Sequence, residues 1–125
     1  MWCRPARQAS SSVLGLDRIV LPIHQGVHWT CAVVDIQGKA VRYYDSLMGE
    51  DAVLARHLLR WVEDESADKL KQRWDTSKWA IEFPKNIPRQ RNGCDCGVFA
   101  IMFADRLGLG VPFDFDQVVE AIRWT

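Results

Sequence analysis

The chain has 125 residues, 16 Lys+Arg against 16 Asp+Glu, and 48% hydrophobic and 26% charged positions. These totals fit one globular domain and exclude wholesale disorder. A formal net charge of zero excludes an overall field that draws the chain to nucleic acid or to an anionic membrane.

No apolar run approaches the roughly 18 residues that span a bilayer. Residues 1–7 lack the apolar stretch of a secretory signal. The four cysteines, Cys3, Cys31, Cys94 and Cys96, do not read as a disulfide framework, and Cys94 and Cys96 are too close to bridge each other comfortably. A reducing compartment, nucleus or cytoplasm, is expected.

In chain order, residues 1–17 read as a flexible polar arm, and the domain is expected over 18–125. Ile19 to Ile23 is β-branched and apolar, hence a strand, with Pro22 assigning it to an edge or a strand end. His28 to Ile36 is a second strand and Val41 to Asp45 a third, with Gln37-Gly38 as the turn between them. From Asp51 to Arg73, Leu54, Leu58, Trp61 and Val62 fall at helical spacing, which predicts an amphipathic helix with a break near Ser66. Trp79 to Phe83 is a candidate strand. Pro84 to Asp95 is punctuated like a loop. Cys96 to Leu107 is apolar nearly all round, which predicts a buried helix ending at Gly108. Asp116 to Trp124 reads as a last helix. The order predicts an α+β fold with helices flanking the sheet.

Cys96 is placed by this reading at a helix start. There the partial positive charge favours a thiolate, and free N–H groups can receive an oxyanion. A plain buried cysteine is the alternative. With a Gln37-Gly38 turn, Ile36 faces Lys39 and Asp45 comes opposite Thr30. Asp45 is then a diagonal neighbour of His28 on one sheet face, about 7–8 Å away at Cα. That suits a base and its orienting carboxylate, and a one-residue slip would undo it. Gln90, six residues before Cys96, can donate an amide N–H to an oxyanion.

His28-Trp29, then Tyr44-Asp45-Ser46, then Gln90 to Gly97 through Asp95-Cys96, together resemble the active-site signature of the ubiquitin-like-protein proteases. The likeness is strongest to the SUMO-processing, sentrin-specific branch and runs from about Ile19 to Trp124. Val20 to His24, Tyr43, Phe99 and Ala104-Asp105 agree with it. The resemblance implies a papain-like α+β fold with a central mixed or antiparallel sheet. It implies a thiol peptidase and isopeptidase that cleaves after the diglycine end of SUMO, in precursor processing and deconjugation. Cys96 would be the nucleophile, His28 the base, Asp45 its orienter and Gln90 an oxyanion donor. Trp29 would lie over the channel that admits Gly-Gly; a core tryptophan is its alternative. No cofactor and no metal are implied. The partner would be SUMO or a SUMO-like modifier with its conjugates, met by a monomer, without nucleic acid or membrane. Rate should be bell-shaped in pH.

Relatives carry more catalytic domain before Ile19, including a Trp-Leu-containing segment not found here, and continue past this chain's end. The chain therefore reads as truncated at both ends. Three rival readings stand beside the main one. The first is a catalytically impaired SUMO-binding fragment. The second is a protease for another diglycine-ended ubiquitin-like modifier, or a deubiquitinase. The third is a zinc module built on His24, His28, Cys94 and Cys96, whose spacings suit a metal poorly.

Overall fold

The computed structural model describes residues 13–91 and 95–115. The predicted helix over 116–124 lies outside them, as do Cys3 and Cys94.

A 3-10 turn at Val13–Gly15 leads into β1 (Arg18–Gln25), β2 (His28–Asp35) and β3 (Ala40–Tyr44). Helix α1 (Ala52–Lys69), β4 (Ala80–Glu82) and α2 (Cys96–Leu109) follow. Among the described residues the sheet has order β1-β2-β3-β4, antiparallel except for the parallel β3–β4 pair. Pro22 therefore sits in an edge strand, where its missing N–H costs no ladder bond on the open side. Leu14 and Leu16 are buried, so the end of the expected arm contributes to the core.

Strand β2 is buried along most of its length because a helix covers each face of the sheet. Val20, Cys31, Val33 and Tyr44 meet Phe99, Met102 and Phe103 of α2, with Phe115. Ile19, Val34 and Val41 meet Ala55 and Val62 of α1. The two sets alternate along the strands, as a period of two requires.

The register agrees with the expected one: Asp35 pairs with Ala40 and Cys31 with Tyr44. The connection is wider than the expected two-residue turn. The Ile36–Lys39 pair does not form, and Lys39 takes a φ of 56° while the Gly38 N–H donates to Asp35 Oδ1 at 2.8 Å. Losing one matched pair widens the turn without shifting the register.

Helix α1 starts where Asp51 caps it, accepting the Leu54 N–H at 2.9 Å. It ends at Lys69, earlier than the predicted Arg73, because Lys71 turns left-handed at φ 59°. Ser66 does not break it. Its Oγ accepts the Trp74 N–H at 2.9 Å and so gathers the departing chain. Trp61, predicted on the inner face, is 36% exposed, whereas Ala55 and Val62 are buried.

Helix α2 runs two residues past the expected stop. Gly108 stays helical, and Gly110 takes the left-handed cap at φ 71°, with the Val111 N–H donating to the Arg106 carbonyl at 3.0 Å. Nor is it buried all round: Ile101 and Leu109 are 61% and 64% exposed. Among the described residues no helix is long and apolar enough to cross a membrane.

Candidate active site

The site forms where the first residue of α2 meets the first two residues of β2. Cys96 is 6% exposed and opens the helix. Its Sγ accepts the backbone N–H of Trp29 at 3.4 Å. The helix end and this N–H both place partial positive charge beside the sulfur. No hydrogen bond joins His28 to Cys96 directly among the described residues; the peptide following His28 makes the contact instead. Catalytic contacts often tighten only when substrate is bound.

Residues Gln25 and His28 pair across the Gly26-Val27 connection, and Gly26 supplies its positive φ of 74°. His28 is half-buried, with Nε2 2.8 Å from Asp45 Oδ1. A carboxylate oxygen accepts, so Nε2 is the donor of this bond and Nδ1 is the ring nitrogen that remains for another partner. Asp45 is buried at the end of β3. The same Oδ1 accepts the Leu47 N–H at 2.8 Å, and the Asp45 carbonyl accepts the Met48 N–H at 2.8 Å. The carboxylate is thus held by its own turn. Gly49 completes that turn: a Cβ there would stand 2.6 Å from Asp45 Oδ2.

Trp29 is 39% exposed, which removes the reading of it as a core residue. Its indole passes over Gly97, where an added Cβ would lie 3.5 Å from Cδ1. On the other side it stacks on His24, with centroids 4.5 Å apart and planes 16° apart. It therefore overhangs the α2 start beside Cys96. Gln90 is 3% exposed. Its backbone N–H donates to the Ser46 carbonyl at 3.0 Å, and its Oε1 accepts from the Ser46 hydroxyl.

Cys31 is also free and buried, but differs chemically. Burial pushes its thiol up to about 12, against a smaller lowering from the Leu21 backbone, so at neutral pH it stays protonated and inert. Among the described residues no three His, Cys, Asp or Glu side chains group as metal ligands.

Sequence reasoning joined His28 and Asp45 by register and added Trp29, Gln90 and Cys96 by resemblance; the structure bonds His28 to Asp45, Cys96 to the Trp29 N–H, and Gln90 to Ser46. It missed the Trp29 N–H, which no side-chain pattern announces. It also missed the roles of Ser46, His24 and Gly49. Ser46 and His24 stood inside the quoted motifs, and the adjoining glycine was the remaining signal.

Residues 3–124 match the family model described as Ulp1 protease family, C-terminal catalytic domain. The chain belongs to that family. It is 35% identical over 111 residues to the ubiquitin-like-specific protease ESD4 of Arabidopsis thaliana, covering 89% of this chain and 23% of that protein. Among solved structures it is similar to the Chaetomium thermophilum Ulp1-like SUMO protease catalytic domain. That match has TM-score 0.71 and 32% identity over 85% of this chain and 42% of the other. The Ulp1 protease domain in complex with Smt3, the yeast orthologue of SUMO, matches at TM-score 0.66 and 25% identity, over 85% of this chain and 48% of that one. The chain thus spans less than half of each of these proteins. Over the matched part, the mixed sheet flanked by helices is the α+β fold of this family.

Proposed function

We propose that this chain carries the reacting centre of a thiol peptidase and isopeptidase that cleaves after the diglycine end of SUMO or a SUMO-like modifier. It would work inside the cell, in nucleus or cytoplasm, and residues 18–125 would form part of the catalytic domain. One observation carries the reading: the Cys96 thiol lies at a helix start against the N–H of Trp29, the residue that follows His28, and His28 Nε2 stands 2.8 Å from the buried Asp45. The names of the matched solved proteins supply the substrate class.

His28 Nδ1 takes the Cys96 proton, and the thiolate attacks the carbonyl carbon of the terminal glycine. The oxyanion is met by the Gln90 amide and the Cys96 N–H. The imidazolium, held by Asp45, gives its proton to the departing amine, and the C–N bond breaks to leave a thioester. Water, deprotonated by His28, then releases the glycine carboxylate and restores the thiol. Trp29 covers the approach beside Cys96, and a flat indole there admits glycines while rejecting residues with side chains.

The test is covalent trapping with SUMO bearing a C-terminal thiol-reactive warhead, beside ubiquitin with the same warhead, read by intact mass. A SUMO adduct that vanishes in Cys96→Ser is the expected result. No adduct from a folded sample would point to the binding-fragment reading. A ubiquitin adduct of equal yield would overturn the assignment of the modifier.

A further inference from the structure

Directly after Asp45, Ser46 holds Gln90 at two points. The Ser46 carbonyl accepts the Gln90 backbone N–H at 3.0 Å, and its hydroxyl donates to Gln90 Oε1. Both residues are buried, at 1% and 3% exposure. The two ends of a glutamine amide have almost the same shape, so packing cannot tell them apart; hydrogen bonding must. For an oxyanion donor the distinction is decisive. The NH2 end stabilises developing negative charge, whereas the carbonyl end repels it.

We propose that Ser46 is a positioning residue that fixes which end of the Gln90 amide faces the oxyanion; this rests on the role given to Gln90 above. A hydroxyl can accept as well as donate, so the direction needs a cause. If the amide turned over, its NH2 would donate to Ser46 Oγ. The Ser46 hydroxyl proton would then lose Gln90 Oε1, the acceptor it has here, in a site closed to water, and that is costly. With Oε1 toward Ser46, the hydroxyl is satisfied and the NH2 end is directed the other way.

The chain position of Ser46 adds a second consequence. Asp45 fixes the His28 ring at 2.8 Å, and the next residue fixes Gln90, 44 positions away in sequence. One turn thereby sets both the proton-transfer arm and the oxyanion arm. The turn itself is pinned by the Leu47 N–H on Asp45 Oδ1.

The experiment compares wild type, Ser46→Ala, Ser46→Thr, Gln90→Ala and the double variant Ser46→Ala/Gln90→Ala. The substrate is SUMO joined at its C-terminus to aminomethylcoumarin. Removing one oxyanion donor typically costs about 100–1,000-fold in kcat. Ser46→Ala, which leaves the donor present but unoriented, should cost about 10–100-fold in kcat at unchanged KM. Ser46→Thr keeps the hydroxyl and should restore turnover to within about threefold. In the Gln90→Ala background, Ser46→Ala should cost less than about twofold.

Equal losses in both backgrounds would overturn the inference, because Ser46 would then act on something other than Gln90. Full activity of Ser46→Ala beside an impaired Gln90→Ala would also overturn it. Full activity of Gln90→Ala would instead remove the role of Gln90 on which it rests. A readout independent of turnover is the 15N-resolved side-chain amide of Gln90. Its two proton resonances should move in Ser46→Ala and stay in place in Ser46→Thr, and an unmoved pair in Ser46→Ala would overturn the inference.

Discussion

The two faces of the sheet are covered by helices of opposite character. Helix α1 covers one face as a self-sufficient amphipathic piece. Ala55 and Val62 lie against Val34 and Val41, and its outer face carries exposed ion pairs such as Arg60–Asp64 and Arg73–Asp64. Such pairs add little to stability individually; their service is to leave that side polar. Helix α2 covers the other face with an apolar surface that is not fully used, since Ile101 and Leu109 stay largely exposed. Between α2 and β1 runs a groove of about 730 Å³, lined by Leu16, Val20, Pro22, Ile101 and Ala104 among others. Cys96 belongs to this second side. On the proposed function the chemistry gathers at the start of α2 and at the strand ends beside it, where His28 opens β2 and Asp45 follows β3.

The largest expected effect comes from truncating the chemical face at its base. Phe99 is fully buried one turn beyond Cys96, and Phe99→Ala should cost roughly 3–5 kcal/mol. That is a large share of the roughly 5–15 kcal/mol of a typical domain. Urea unfolding should show the loss, and adduct formation by the SUMO warhead should fall with it. Val62→Ala on the α1 side should cost about 1–3 kcal/mol but leave adduct formation unchanged below the unfolding midpoint. If Val62→Ala impaired trapping in folded protein, the division between the faces would fail.

Gly49→Ala should show the reverse pattern. The new Cβ would stand 2.6 Å from Asp45 Oδ2, so the carboxylate must shift and the His28 ring with it. A misplacement of about 1 Å can cost on the order of 100-fold in rate, so trapping should slow by about 10–100-fold. Stability should change by less than about 1 kcal/mol, because Gly49 is exposed. Unchanged trapping kinetics would show that Asp45 absorbs the contact.

The smallest effect sits on the sheet's remote end. Burial raises the Asp35 carboxyl, but the Gly38 N–H and Arg42 outweigh it and hold the group below its ordinary value. A depressed carboxyl stabilises the fold above its unfolded pKa, about 3.9, and that contribution is lost as pH falls through the folded value. Asp35→Asn should therefore flatten the acid limb of stability below about pH 4. The change should stay under about 0.5 kcal/mol, because the pair is partly solvated. An identical acid limb in both proteins would remove Asp35 from the acid response.

Much of this was legible in the sequence because it depends on short-range repetition. Strand alternation and the Gln37-Gly38 signal gave the β2–β3 register, which in turn put Asp45 near His28. The register survived a wrong turn length only because losing one matched pair leaves the rest in step. The end of α2 was misplaced because Gly108-Leu109-Gly110 offers two stops, and local propensity does not choose between them. Burial around α2 was overstated because an apolar helix surface does not reveal which face meets the sheet. The Ser46–Gln90 tie and the Trp29 N–H on sulfur were not legible, although Ser46 stands in the Tyr44-Asp45-Ser46 motif. The first spans 44 positions, and the second uses backbone alone.

Cys96 should differ chemically from Cys31, the other buried thiol among the described residues, because of its helix start, the Trp29 N–H and His28. Site-resolved mass spectrometry after brief iodoacetamide treatment at neutral pH tests it in wild type and His28→Ala. Rapid alkylation of Cys96, none of Cys31, and a Cys96 rate at least tenfold lower in His28→Ala are expected. Equal Cys96 rates in the two proteins, or faster reaction at Cys31, would contradict it.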